Sequence, residues 1–209
     1  MGADYVMAVN LQKGQKVDLR KADGSSLRKV MVGLGWDEVE KSGGGFLSGL
    51  FGGGNKSQDI DCDATAFLCV GGKVINADDV VYFGNLEHKS GAVRHMGDNL
   101  TGAGEGDDER IFVNLSSLPK QYDRIIFVVN IYKASERHQH FGMIRNAFIR
   151  ICDDDNHQEL CRYNLSENYD GMTAMVFGEI YLRNGQWKFN AIGQATKDNS
   201  ISDLAKRFA

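Results

Sequence analysis

The sequence predicts an all-β fold, a two-sheet β-sandwich with few short helices. Three observations carry that expectation. About ten short segments are built mostly of apolar residues, several alternating at the two-residue period of a half-buried strand. Glycine is abundant, 25 residues in 209, against a single proline, Pro119, which suits a turn-rich chain. Long runs of helical period are scarce, so packed sheets must bury the core.

The elements follow in order. The opening strand is expected over Tyr5 to Leu11, then Lys16 to Leu19 and Lys29 to Trp36. Ala64 to Val70, Val80 to Phe83, Ile111 to Leu115 and Arg124 to Tyr132 come next, and the last of these is apolar on both faces, as a central strand should be. Ala147 to Cys152 and Leu160 to Leu165 flank Asp153-Asp-Asp-Asn-His157, a hairpin turn. Ala174 to Leu182 leads through Asn184-Gly185, a two-residue hairpin signal, into the alternating Trp187, Phe189 and Ala191. Asp23-Gly24 and Gly71-Gly72 mark further turns. Ser202 to Phe208 predicts a short capped helix, and Ser135 to Gly142 a helical turn. No repeat or boundary divides the chain, but residues 42–58 read as a glycine-rich insertion carrying Phe46, Leu47, Leu50 and Phe51.

A composition of 42% apolar and 25% charged residues is ordinary for a globular domain able to bury a core. The net charge of −4 argues against a nucleic-acid partner. No secretory leader or membrane-spanning run is expected. Cys62, Cys69, Cys152 and Cys161 form no C-x-x-C pair, which fits free thiols in a reducing, intracellular setting.

The acidity is local. Asp98, Glu105, Asp107, Asp108 and Glu109 fall in one stretch without a base, Gly97-Asp-Asn-Leu-Thr-Gly-Ala-Gly-Glu-Gly-Asp-Asp-Glu109. Calcium takes six to eight hard oxygen ligands from carboxylates, amides and carbonyls, and the glycines allow carbonyls to turn inward. The bland alternative is a solvated acidic turn. A second cluster, Asp59-Ile-Asp-Cys-Asp63, precedes a core strand and places Asp61 and Asp63 on one face with Cys62 opposite. Glu179, inside an apolar strand, reads as a third ligand, as a partner of Arg183 or Lys188, or as a solvent-facing group.

Other chemistries fail on spacing. An EF-hand starting at Asp98 meets Leu100 at its third position, and one starting at Asp153 meets His157 at its fifth. Asn55 separates the glycines from Lys56, which spoils a P-loop. His138 and His140 have no further zinc ligands at fixed spacing, and no nucleophile elbow is present, so no enzyme is expected.

These blocks resemble the TerD family of tellurite-resistance and general stress proteins. The resemblance rests on the acidic loop, on Asp59 to Phe67, and on Lys13-Gly-Gln-Lys-Val-Asp-Leu19 and Val32-Gly-Leu-Gly-Trp-Asp37. Asn146 to Ile151, Glu159 to Tyr163, Gly178 to Tyr181, Gly185 to Phe189 and Ala191 to Gln194 extend it over nearly the whole chain, as one domain. It implies a non-enzymatic, cytoplasmic β-sandwich holding two neighbouring calcium ions, with partners among stress-response or membrane-associated proteins. By motif match the implied ligands are Asp61, Asp63, Asp98, Asn99, Thr101, Gly104, Asp107, Asp108 and Glu109. An alternative role is a calcium-dependent membrane or protein adaptor. Two departures stand out: the insertion is longer than the family's usual link, and Asn114 replaces an expected aspartate.

Overall fold

Backbone pairing sorts the alternating segments into two six-stranded sheets. The structure, a computed structural model, describes residues 8–38, 59–97 and 106–209. The first sheet runs β1 (Val9–Leu11), β10 (Glu159–Asn164), β9 (Ile144–Asp153), β3 (Lys29–Glu38), β7 (Glu109–Asn114) and β6 (Val93–His95). The second runs β2 (Lys16–Asp18), β12 (Gln186–Thr196), β11 (Ala174–Arg183), β8 (Arg124–Ile131), β4 (Cys62–Cys69) and β5 (Val80–Val81). Every pair is antiparallel except β1 with β10.

Inner faces meet in one core. Val32 and Leu34 of β3, Ile111 and Val113 of β7 and Ile149 and Ile151 of β9 pack against Ala64, Ala66 and Leu68 of β4 and Ile125, Phe127 and Val129 of β8. β8 is central, between β11 and β4, as its two apolar faces required. Its outer face is covered because α2 (Ile201–Lys206) lies there, with Leu204 packed on Phe67, Ile126, Val128 and Val176. Ser200 caps that helix by accepting the Asp203 N–H at 3.1 Å. The other α-helix, α1 (Ala134–Arg137), is a single turn that overlaps the start of the expected segment and begins one residue before it.

The β11–β12 hairpin turns at Asn184 and Gly185, both with positive φ (52° and 75°), the backbone a two-residue hairpin demands. Two features were not expected: β6 and the parallel β1–β10 pair. The segment from Val80 proves shorter, because the chain turns after β5 and leaves Phe83 exposed. Phe46, Leu47, Leu50 and Phe51 lie outside the described residues. All four cysteines are buried thiols, and burial pushes Cys152 up to about 11 and Cys161 up to about 12.

Candidate metal site

Of the sequence-predicted acids, Asp61, Asp63, Asp107, Asp108 and Glu109 lie around one end of the sandwich, where β7 and β4 begin and β3 ends. β3 and β7 pair only as far as Leu34 and Glu109, so the Trp36 N–H has no strand partner on that side. Asp108 supplies one. Its N–H donates to the Leu34 carbonyl at 2.8 Å, and its Oδ2 accepts the Trp36 N–H at 2.7 Å. Burial pushes the Asp108 carboxyl up to about 6; the Trp36 N–H offsets this only in part, and Asp37 and Asp107 add negative charge nearby.

Asp107 lies over β3, where Gly33 leaves room: a Cβ there would overlap the carboxylate. Arg150 of β9 holds it with two parallel bonds, Nε to Oδ1 at 2.7 Å and Nη2 to Oδ2 at 2.8 Å. Arg150 also donates to Glu159 at 3.0 Å, which accepts two bonds from Arg162. Burial works against the Glu159 anion, but Arg162 and Arg150 keep its carboxyl below the usual range.

Glu109 points inward from the first position of β7 and bridges the sheets. Its Oε2 accepts the Ala64 N–H at 2.6 Å and lies 3.2 Å from His95 Nε2. Asp61 is part-exposed, 3.7 Å from Arg137 Nη1. Asp63 is buried on the outer face of the second sheet, and Cys62 faces the core, as the alternation predicts. Asp98, Asn99, Thr101 and Gly104 lie outside the described residues.

Glu179 stands apart. It pairs in register with Ile126, whereas Asp63 pairs with Asn130, a separation of four positions along β8, or about 13 Å. Its carboxylate takes Arg124 Nη1 at 2.8 Å and Asn190 Nδ2 at 2.9 Å, not Arg183 or Lys188. Asn114 is at the far end of β7, accepting the Ser116 hydroxyl, so its replacement of an aspartate leaves the acidic end untouched.

Among the described residues, no group of three or more His, Cys, Asp or Glu side chains is arranged to hold a metal ion. What they supply is a small acidic rim, Asp107 and Asp108 with Asp37 nearby. Sequence reasoning passed over Asp37, His95 and Arg150. Asp37 carried a signal, since it follows the strand-end Gly35-Trp36 pair. His95 and Arg150 reach the acids only through strand register, which no local pattern shows.

Fold and site together define a two-sheet β-sandwich with Asp107, Asp108 and Glu109 clustered at one end. The family model of the TerD domain matches residues 7–208, and the chain belongs to the TerD family. It is 49% identical over 202 residues to Stress response protein SCP2 of Bacillus subtilis (strain 168), covering 97% of this chain and 100% of that one. It is 46% identical to Tellurium resistance protein TerD of Serratia marcescens, over 90% of this chain and 91% of that one. A solved homologue of telluride resistance protein (TerD) from Streptomyces coelicolor A3(2) shares the fold, with TM-score 0.63, 19% identity, and coverage of 88% of this chain and 99% of that one. No helix among the described residues is long and apolar enough to cross a membrane.

Proposed function

We propose that this protein is a calcium-binding member of the tellurium-resistance and stress-response group, acting in the cytoplasm as a binding module and not as an enzyme. The observation that carries the reading is Asp108: a buried carboxylate with one protein donor among the described residues, its proton affinity raised by burial and by Asp37 and Asp107. A divalent cation relieves that arrangement. Asp98, Asn99, Thr101, Gly104, Asp107 and Asp108 would hold about two ions, with Asp61, Asp63 and Glu109 at the same end of the sandwich. Glu179 is left out, because it lies four positions along β8, about 13 Å, from Asp63.

The chain's own residues set the stage. Arg150 fixes the Asp107 carboxylate, the Trp36 N–H orients Asp108, and Glu109 ties the start of β7 to β4 of the other sheet. A bound ion supplies positive charge and nothing else is asked of it. The adaptor reading draws support from Leu86 and Met96, exposed apolar residues brought together where the His95 N–H donates to the Leu86 carbonyl. Sedimentation with anionic vesicles, with calcium and with chelator, separates the two: an adaptor co-sediments only with calcium, and a simple binder stays in solution under both conditions.

A further inference from the structure

The outer faces of the two sheets are finished differently. α2 lies on that of the second sheet, with Leu204 packed on Phe67, Ile126 and Val128. On the first sheet, alternation sends Val93 of β6, Ile111 and Val113 of β7 and Val32 of β3 into the core, so Arg94, Arg110, Phe112 and Met31 stand on the opposite face. Register sets them in two rows. Arg94 is opposite Phe112, which is opposite Met31. Met96, whose N–H donates to the Arg110 carbonyl at 3.0 Å, lies beside Arg110, which is opposite Gly33. Neighbouring strands are about 5 Å apart and same-face neighbours along one strand about 7 Å, so these side chains of β6 and β7 form one tile in which cation and apolar group alternate. Arg94 and Arg110 are exposed, Met96 is 47% exposed and Phe112 is half-buried.

The protein's own acids engage other arginines. Arg150 and Arg162, in the same row beyond Gly33, are held by Asp107 and Glu159, whereas Arg94 and Arg110 form no ion pair among the described residues. Glu87 is opposite Arg94 and is not ion-paired to it. The strand edge is closed as well: the His88 N–H donates to the Val93 carbonyl at 3.0 Å and the His95 N–H to the Leu86 carbonyl at 2.8 Å, so an extended peptide has no edge to join beside β6. A partner meets side chains only, two guanidiniums with a thioether and a ring between them. Guanidinium pairs with phosphate oxygens through parallel hydrogen bonds, and methionine is flexible enough to fit an irregular apolar surface. An anionic phospholipid surface offers phosphates and acyl chains together, and it needs no cleft.

We propose that this face of β6 and β7 is a contact with an anionic phospholipid surface, made by Arg94 and Arg110 to the phosphates and by Met96 at the acyl boundary. The inference rests on the adaptor reading and gives it a surface: Asp107, over Gly33 in the row of Arg110, and Asp108 beside it repel the same headgroups until calcium offsets them. The test is co-sedimentation of the full chain, in calcium, with phosphatidylcholine vesicles that contain or lack phosphatidylserine. Wild type should sediment only with the phosphatidylserine vesicles. Arg94→Gln and Arg110→Gln should each weaken partition about fivefold, and the double variant roughly twentyfold. Both side chains are exposed, so the double variant should melt with wild type and take up calcium equally in calorimetry. Equal sedimentation of wild type and double variant would overturn this face and leave the adaptor reading standing. Wild type that takes up calcium and sediments with neither vesicle would overturn both. Binding to polyglutamate that the double variant loses, without binding to vesicles, would assign the face to an acidic protein and overturn the lipid assignment.

Discussion

Two buried carboxylates, Asp108 and Asp79, occupy opposite ends of the sandwich and behave in opposite ways. Asp79 is 1% exposed and is surrounded by donors: Tyr122 OH at 2.6 Å, Asn76 N–H at 3.1 Å, Asn76 Nδ2 at 3.3 Å, and His88 Nε2 at 3.5 Å. His88 is itself set by Ser90, whose N–H donates to Nδ1 at 3.2 Å. Burial pushes the Asp79 carboxyl up, yet Tyr122, Asn76 and His88 together hold it below the usual carboxylate range. Asp108 has one donor among the described residues and acidic neighbours, and it is pushed up instead. A carboxylate completed by protein donors is a structural pin. One left short of positive charge beside other acids is where a cation belongs.

The comparison breaks most readily at Asp79. Asp79→Ala strands the Tyr122 hydroxyl and the Asn76 amide, at a cost of about 3 kcal/mol. For a chain of this length that is a fall in melting temperature of about 10 °C, and it should be the same with calcium or with chelator. A fall that calcium rescues would put Asp79 in the metal site and erase the distinction.

Asp108→Asn should sharpen the contrast through a change of sign. The amide oxygen can still accept the Trp36 N–H, and a disfavoured charge is gone. In chelator the variant should therefore melt about 3 °C above wild type. In calcium it should melt below wild type, because a ligand charge has been lost. Differential scanning calorimetry in the two buffers reads both signs, and a variant that melts lower in both would contradict this account of Asp108.

The pH dependence follows from the same two groups. The folded value for Asp108 lies above its unfolded value, so its contribution to stability is full below about 4 and is lost as pH rises through about 6. Asp79 has the opposite sign: its contribution is present above the unfolded value and fades as pH falls below about 4. Melting curves in chelator across this range should show a slope between about 4 and 6 that Asp108→Asn flattens. Persistence of the slope in the variant would assign it to another group.

The smallest expected effect is at Glu179. Glu179→Gln should lower stability slightly, since it weakens the bond from part-exposed Arg124, by about 1 kcal/mol or less. The melting shift produced by calcium should be unchanged. A diminished shift would return Glu179 to the ligand set.

Much of the fold was legible because alternation is a local signal. β8 announced itself as central through two apolar faces, and Asn184-Gly185 fixed the β11–β12 hairpin. β6 was hidden because Val93–His95 is too short to show a period, and it exists through its pairing with β7. The parallel contact of β1 with β10 joins segments far apart in sequence, where no turn gives the pairing away. Of the candidate site, the opposite facing of Asp63 and Cys62 at the start of β4 could be read directly. The bond from Arg150 to Asp107 could not, since it needs β9 beside β3 and a glycine at position 33 beneath the carboxylate. Glu179 misled for the same reason: Arg124 and Asn190 reach it across two strand pairings.

The most direct measurement is calorimetric titration of calcium into chelator-treated protein, paired with its melting curve. About two calcium ions per chain should bind, magnesium should bind much more weakly, and saturating calcium should raise the melting temperature by about 5 °C or more per site. No heat of binding, together with a melting temperature indifferent to millimolar calcium, would contradict the account.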